Sequence, residues 1–492
     1  APFSPSPSVQ GQVVVAVVDA VPDHLDALGV LVGPDGAPPA ALGSGRDELT
    51  AAGFTGALGT TLVVPRPGSP TVIAVGTGPD PDGAALRDAA AAFASASSPH
   101  AAVGLDLTSV TLAGELAGEA AVEGVVLARY AYDVLRREPA GRPVTDLVLV
   151  TSTDRVEGTR SGAARGRVLA SATELARDLA NTPHSHLTAT RLAEIAVSLG
   201  AERGLDVEVF DADALREMQV GGLLAINQGS SEPPRMVRIT YRPDGDPAGR
   251  LAIVGKGIMY DSGGLGIKPN DRIHAQMKND MSGAAAALAA MAVLRDLGCR
   301  AEVTAYLMCT DNMPSGTAIA LGDVITIRGG TTVEVMDTDA EGRVVMSDAL
   351  VLATEDGVDA VIDIATLTGS ALRALGSDMA ALLGNHDEVL AQVEAAAVVT
   401  GEPVWRLPLH RRYRRQLDSL TADVMNVGYG DAGAITAALF LAEFVGDTPW
   451  AHIDMCGPAQ VDDGRSWLPA GCSGFGARLL AQVAVDFRPP AA

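Results

Sequence analysis

Along this chain, short apolar runs suited to strands alternate with longer alanine-rich runs suited to helices. From residue 13 to about residue 152, the β-rich runs 13–18, 61–64, 71–75 and 147–150 are separated by alanine-rich stretches at 83–95 and 116–135. Such alternation is α/β patterning. No catalytic spacing appears in this region, which reads as a structural or assembly domain. In the segment 157–180, Val168, Leu169, Ala172, Leu175 and Leu179 recur at helical intervals, and Asn181-Thr182-Pro183 closes the run. A helix ending at a proline turn is a natural hinge. Beyond it the pattern predicts strands at 251–254, 302–308, 332–335, 360–364 and 450–454, and helices at 283–297, 347–355 and 435–444. The alternation implies a mostly parallel sheet covered by helices, with its ligand crevice at the carboxyl ends of the strands. The expected organisation is a small N-terminal α/β domain (1–156), a linking helix (157–183) and a larger C-terminal α/β catalytic domain with a mixed central sheet (184–492).

A chain of 492 residues exceeds what one hydrophobic core usually serves, which agrees with two domains. Hydrophobic residues make up 47% and charged residues 20%, so the composition is that of a globular protein rather than a disordered or fibrous one. Lys plus Arg total 36 against 60 Asp plus Glu, and the formal charge of −24 argues against nucleic acid as the main partner. The local cluster Arg411, Arg412, Arg414 and Arg415 reads as a solvated rim or a subunit contact. No apolar run reaches the length of a membrane span. Residues 1–10 have neither a basic nor an apolar leader region and read as a short disordered tail of a cytoplasmic protein. Cys299, Cys309, Cys456 and Cys472 show no C-x-x-C spacing, which fits buried thiols in a reducing compartment.

Three segments carry candidate chemistry. In the first, an apolar strand runs into Lys256, Asp261 and Lys268 among glycines that let backbone approach a ligand closely. This segment lacks the spacing of a phosphate-binding loop. The second places Asp280 just ahead of an alanine-rich helix, where an aspartate serves either as a helix cap or as a functional group. The third is Asp337-Thr338-Asp339-Ala340-Glu341-Gly342-Arg343, between a strand and a helix. With Asp348 it imitates a calcium-binding EF-hand loop, but a strand precedes it where that motif needs a helix. Together the segments offer four carboxylates at strand ends, enough to hold two divalent metals. None of the eight histidines forms H-x-x-x-H or falls in these segments, and there is no G-x-S-x-G elbow.

On these residues the sequence resembles the leucyl aminopeptidases, also called the cytosol aminopeptidase family. The likeness extends through Arg177–Pro183, Asn312-Met313-Pro314-Ser315-Gly316, Asp363-Ile364-Ala365-Thr366-Leu367-Thr368-Gly369 and Trp450-Ala451-His452-Ile453-Asp454, covering about residues 170–480 strongly. The resemblance implies a two-metal aminopeptidase that removes N-terminal residues, leucine and other apolar ones first, from peptides with a free N-terminus. Asp261 and Glu341 would bridge two ions, Asp339 would complete one site, and Lys256 with Asp280 the other. Manganese or zinc is expected, with magnesium or cobalt as alternatives. Lys268 would stabilise the oxyanion. Arg343 would hold a bicarbonate cradled by backbone at Leu367 and Gly369, and Met277, Thr366 and Gly369 would line the pocket for the first side chain or simply pack the core. The family also implies a homohexamer.

Four departures from the family pattern stand out: Asp337 replaces Asn, Ser282 replaces Gly, Tyr260 replaces Phe, and the stretch from Lys268 to Asp280 is one residue longer. Asp337 is expected either to strengthen metal binding by its charge or merely to accept hydrogen bonds from turn amides. Two rival readings are a metal-dependent phosphoesterase, since two-metal carboxylate sites also serve phosphoryl transfer, and a non-catalytic assembly or DNA-architectural protein.

Overall fold

Runs rich in valine, isoleucine and leucine build the two large sheets, one in each compact unit of the chain. A computed structural model describes residues 4–9, 13–64, 70–138 and 141–491. Of the expected N-terminal tail, residues 1–3 and 10 lie outside the described residues.

Unit 1 comprises Ala1–Glu174 and Val461–Gly471. Its strands are β1 (Val14–Val18), β2 (Ala27–Val32), β3 (Thr61–Val64), β4 (Thr71–Gly76), β5 (Ala102–Asp106) and β6 (Asp146–Val150), arranged β1-β6-β5-β2-β4-β3. Neighbours are parallel except β3 and β4. The helices Gly83–Ala96 and Gly114–Ala128 contribute Leu86, Phe93, Val122 and Leu127 to the core beside them. β2 and β5 are strands that periodicity does not single out. Every residue of β2 is buried, so apolar and polar positions do not alternate along it. The second alanine-rich stretch was expected to reach residue 135 but stops being helical at Ala128, ahead of Tyr130 and Tyr132, whose helix preference is weaker.

The helix Val156–Asn181 runs for 26 residues, and the division between the two units falls within it, after Glu174.

Unit 2 comprises Leu175–Gln460 and Cys472–Ala492. It contains β7 (Asp206–Phe210), β8 (Arg235–Tyr241), β9 (Arg250–Asp261), β10 (Glu302–Asn312), β11 (Val324–Thr326), β12 (Thr332–Glu334), β13 (Ala360–Ala365), β14 (Ala380–Gly384), β15 (Val404–Arg406), β16 (Val424–Met425) and β17 (Trp450–Asp454). Eight of them form one sheet in the order β15-β14-β17-β13-β9-β10-β8-β7, while β11, β12 and β16 form a small sheet of their own. The central strands β17, β13, β9 and β10 are parallel, and β8 and β14 introduce antiparallel pairs toward the edges. This is the mixed, helix-covered α/β sheet that the sequence predicts. The helix Ser282–Met291 packs on β9 and β10, and the helix Glu341–Glu355 packs on β9, β10 and β13.

Several boundaries differ from the sequence pattern: β10 runs to Asn312 rather than 308, and the helix expected at 283–297 ends at Met291. β9 continues through Gly255 and Gly257 to Asp261 instead of stopping at Val254. A Cβ at Gly255 would lie 2.8 Å from the Ala284 Cα, so this glycine lets the helix Ser282–Met291 sit close against the strand. The helix that was expected to begin at 347 begins at Glu341, because its first turn buries polar residues and so hides the apolar period. All four cysteines are free; Cys299, Cys309 and Cys472 are buried, and Cys456 is half-buried.

Asp348, the residue that completed the EF-hand resemblance, is fully buried and accepts hydrogen bonds from the Leu223 amide (3.0 Å) and the Arg328 amide (2.9 Å). It serves as a backbone acceptor inside the fold. Asp348→Ala should therefore lower the free energy of unfolding by about 1–3 kcal/mol for each amide left unpaired, with Asp348→Asn losing less because one acceptor oxygen remains. Urea unfolding of the three proteins checks this, and equal midpoints would contradict it.

Candidate metal centre

Parallel strands finish on the same side of a sheet, so the residues that end them are brought together. Here β9 ends in Asp261, β10 in Asn312 and β17 in Asp454, and Thr366 directly follows β13. Lys256 lies within β9, five positions before its end. Its Nζ is 2.9 Å from Asp280 and 2.8 Å from Glu341 Oε1, and it donates a 2.9 Å hydrogen bond to the Thr366 carbonyl oxygen. The Thr366 hydroxyl donates to Asp280 Oδ1 at 2.6 Å. Asp280 is thus committed to Lys256 and Thr366, and the helix behind it has Met281 at its N-cap with no side-chain cap. Lys268 Nζ stands 2.7 Å from Asp261 Oδ2 and 2.5 Å from Asp339 Oδ1.

Carboxylate oxygens of Asp261, Asp280 and Glu341 all lie within 4.8 Å of one another, and all three residues are buried. At an effective dielectric constant of about 20, two charges about 5 Å apart repel by roughly 3 kcal/mol. Each such pair therefore needs compensation. Lys256 and Lys268 supply two positive charges against the formal four of Asp261, Asp280, Asp339 and Glu341. Asp280 Oδ2 and Glu341 Oε2 are buried without a hydrogen-bond partner; Lys256 Nζ reaches the former's distance but not the alignment. Oxygen donors with spare lone pairs beside a surplus of negative charge are what divalent cations bind, so this residue set fits such ions.

The protonation states respond to the same crowding. Burial and the neighbouring Asp261 push the Glu341 carboxyl up to about 8. Burial raises that of Asp280 to about 6, with Lys256 pulling against the rise. Burial likewise raises Asp339, reinforced by Asp261. For Lys256, burial disfavours the ammonium, yet Asp280, Glu341 and Asp261 outweigh it and hold the amine above its usual range. Lys268 behaves in the same way through Asp261 and Glu341.

The surrounding loops are fixed by neutral amides. Asn312 Nδ2 donates to Asp261 Oδ1 (2.8 Å) and to the Thr338 carbonyl (2.9 Å), tying β9 to the loop before the helix Glu341–Glu355. Asn426, fully buried, accepts from the Met336 amide (2.8 Å), donates to the Asp337 carbonyl (2.6 Å), and offers its own carbonyl to Arg343 Nη1 (3.0 Å). Arg343 Nε is buried and unpartnered, a donor suited to an anion such as bicarbonate. Asp337 Oδ1 accepts the Asp339 amide at 2.9 Å, a turn contact of the kind its second expectation named. Gly342 makes room for Lys256: a Cβ there would lie 2.5 Å from Lys256 Cε and 2.7 Å from Nζ.

Among the residues expected at the site, the structure brings together Lys256, Asp261, Lys268, Asp280, Asp339, Glu341 and Thr366. Met277 is half-buried at the start of the turn Met277–Asn279, and Gly369 is exposed at the start of the helix Gly369–Leu375. The Leu367 amide donates to Asp454 Oδ1 at 3.2 Å, so an anion bound there would share that donor. At the departures from the family pattern, the Ser282 hydroxyl donates to the Asn279 carbonyl (2.5 Å) and the Tyr260 hydroxyl to the His274 carbonyl (3.4 Å). Sequence reasoning quoted Asn312 and Asp454 within motifs without giving them roles, and passed over Asn426.

Known proteins resemble this chain over most of its length. The model of the cytosol aminopeptidase family catalytic domain matches residues 174–481, and that of the family's N-terminal domain matches residues 43–139. A probable cytosol aminopeptidase of Chlorobaculum tepidum is 43% identical over 373 residues, covering 74% of each chain. One of Streptomyces coelicolor is 39% identical over 467 residues, 89% of each chain. Among solved structures, the bottromycin maturation enzyme BotP in complex with Mn is 37% identical with a TM-score of 0.85, covering 95% of this chain and 98% of that one.

Divalent ions loaded onto this residue set would displace the protons that the crowded site retains. Metal affinity should therefore rise from pH 6 to pH 8, spanning the shifted Asp280 and Glu341 carboxyls, with protons released on binding. Calorimetric titration with Mn in buffers of different ionisation enthalpy measures that release. Affinity independent of pH, with no proton released, would refute the assignment.

Proposed function

Because this chain belongs to the cytosol aminopeptidase family and is a metal-dependent aminopeptidase, we propose that it hydrolyses peptides with two divalent ions held by Lys256, Asp261, Asp280, Asp339 and Glu341. The observation that carries this reading is the buried trio Asp261, Asp280 and Glu341, whose oxygens converge within 4.8 Å. Bound there, such ions supply Lewis acidity to a water and to the scissile carbonyl, and a seat for the substrate's free α-amine. Manganese is favoured by the neighbouring structure that contains it, with zinc as the alternative. By the family resemblance Asp261 and Glu341 would serve both ions, Asp339 one, and Asp280 the other together with Lys256, once the dications displace the proton from its amine.

The chain's own residues supply the remaining chemistry. In the metal-free site Asp261 and Glu341 outweigh the burial that disfavours the Lys268 charge and hold its amine above the usual range, and a protonated Lys268 would donate to the oxyanion. Arg343 has a buried Nε without a hydrogen-bond partner, and with the Leu367 and Gly369 amides it would hold a bicarbonate that supplies proton-carrying capacity. Met277, Thr366 and Gly369 line the space for the first side chain, for which leucine and other apolar residues are preferred. By the same family reading the chain assembles as a homohexamer and works in the cytosol, a setting that its similarity to probable cytosol aminopeptidases supports. No helix among the described residues is long and apolar enough to cross a membrane. No observation favours the phosphoesterase or the DNA-architectural reading.

Exhaustive chelation should abolish cleavage of leucyl peptides, Mn should restore it, and N-acetylation of the substrate should prevent it. Equal turnover of free and N-acetylated peptides would overturn the aminopeptidase mechanism. Lys268→Ala should reduce kcat by about 10²- to 10³-fold, the usual cost of one oxyanion donor, while binding metal at least as tightly because a competing ammonium is gone. A loss below about tenfold would remove Lys268 from that role.

A further inference from the structure

Asp454 ends β17 and is 1% exposed, yet nothing in the catalytic assignment uses it. Its carboxylate is fully engaged with the loop that follows β13. Oδ1 accepts from the Leu367 amide (3.2 Å), the Thr368 amide (3.3 Å) and the Cys456 amide (3.2 Å), and Oδ2 accepts from the Thr368 hydroxyl at 2.6 Å. Asp454 also pairs with Ala365 across β13 and β17, and the Met455 amide donates to the Ala365 carbonyl at 2.8 Å. Thr366 is therefore gripped on both sides by the end of β17. Its carbonyl and its hydroxyl both meet metal-centre residues: the carbonyl accepts from Lys256 Nζ and the hydroxyl donates to Asp280 Oδ1.

A carboxylate at this place adds another negative charge to an acidic neighbourhood, which is costly unless it does something a neutral residue cannot. Four donors from three residues converge on it, and only a carboxylate accepts that many without presenting a donor of its own. We propose that Asp454 is a positioning residue of the metal centre, fixing Thr366 and through it the metal-facing orientation of Lys256 and Asp280. This rests on the reading of Lys256 and Asp280 as ligands. Groups that orient ligands in this manner commonly contribute 10- to 100-fold to metal affinity.

Asp454→Asn tests the assignment, because the amide keeps the size but turns one acceptor into a donor facing the Leu367 and Thr368 amides or the Thr368 hydroxyl. In the metal-free protein, hydrogen exchange at Leu367 and Thr368 should accelerate. Mn affinity measured by calorimetry should fall by about 10- to 100-fold, and excess Mn should return most of the turnover, which damage to the fold alone would not allow. Thr366→Val should weaken Mn binding through the same link, and the losses in Thr366→Val/Asp454→Asn should be less than additive. If Asp454→Asn does not fold, Thr368→Val, which removes the 2.6 Å contact together with the hydroxyl's 3.0 Å cap on the Ala371 amide, should weaken Mn binding severalfold. Wild-type Mn affinity in Asp454→Asn, or in Thr368→Val where that variant stands in, overturns the proposal. Asp280→Asn separates the two levels. If it loses Mn while Asp454→Asn does not, the positioning role fails alone; if it binds Mn normally, the ligand assignment fails and takes the positioning role with it.

Discussion

Like charges confined in a space shielded from water repel one another, and the catalytic unit is organised around containing that repulsion. Asp261, Asp280 and Glu341 converge while buried, with Asp339 on their rim. Two lysines thread between them, Lys256 against Asp280 and Glu341, Lys268 against Asp261 and Asp339. The ammonium groups offset part of that repulsion and leave part of the negative charge uncompensated, a surplus that divalent cations would meet. Stability and affinity pull in opposite directions here, since complete internal neutralisation would leave little for a cation to gain.

The backbone arrangement follows from that need. Parallel central strands deliver Asp261, Asn312, Thr366 and Asp454 to one edge, and the helix Glu341–Glu355 brings Glu341 and Arg343 in its first turn. The loops between them are secured by Asn312 and Asn426, whose amides donate and accept without adding charge. In an electrostatically crowded region a neutral fastener is the least disruptive kind, and both asparagines bond the backbone of the acidic loop, at Thr338 and Asp337.

How much of this could be read from the sequence depended on the kind of signal. The mixed α/β class was legible because both sheets have enough apolar strand runs separated by helical ones. β2 was not, because it is buried on both faces and lacks alternation. The acidic residues and lysines stood out through their clustering in short segments and their resemblance to a known family. Asp454 and Asn426 stood out for no such reason. Their roles come from contacts with residues tens of positions away, 86 and 87 for Asp454 with Thr368 and Leu367, and 83 for Asn426 with Arg343. A motif can also carry packing instead of chemistry. Asp363 and His452, both inside family motifs, face each other at 2.5 Å in the fully buried interior, and Trp450 Nε1 donates to the same aspartate at 2.6 Å.

Gly342 lies between the acidic residue Glu341 and Arg343, and the space its absent side chain leaves is filled by the end of Lys256. The two positions therefore share one volume. Enlarging residue 342 first would push the amine out of the acidic cluster, and shortening residue 256 first would open a buried gap among unneutralised carboxylates. Either single step passes through a protein with a damaged centre, whereas the two changes made together could preserve the packing. On an evolutionary landscape these positions are joined by a valley, and descendants of this chain are held on one side of it by geometry as much as by the reaction they catalyse.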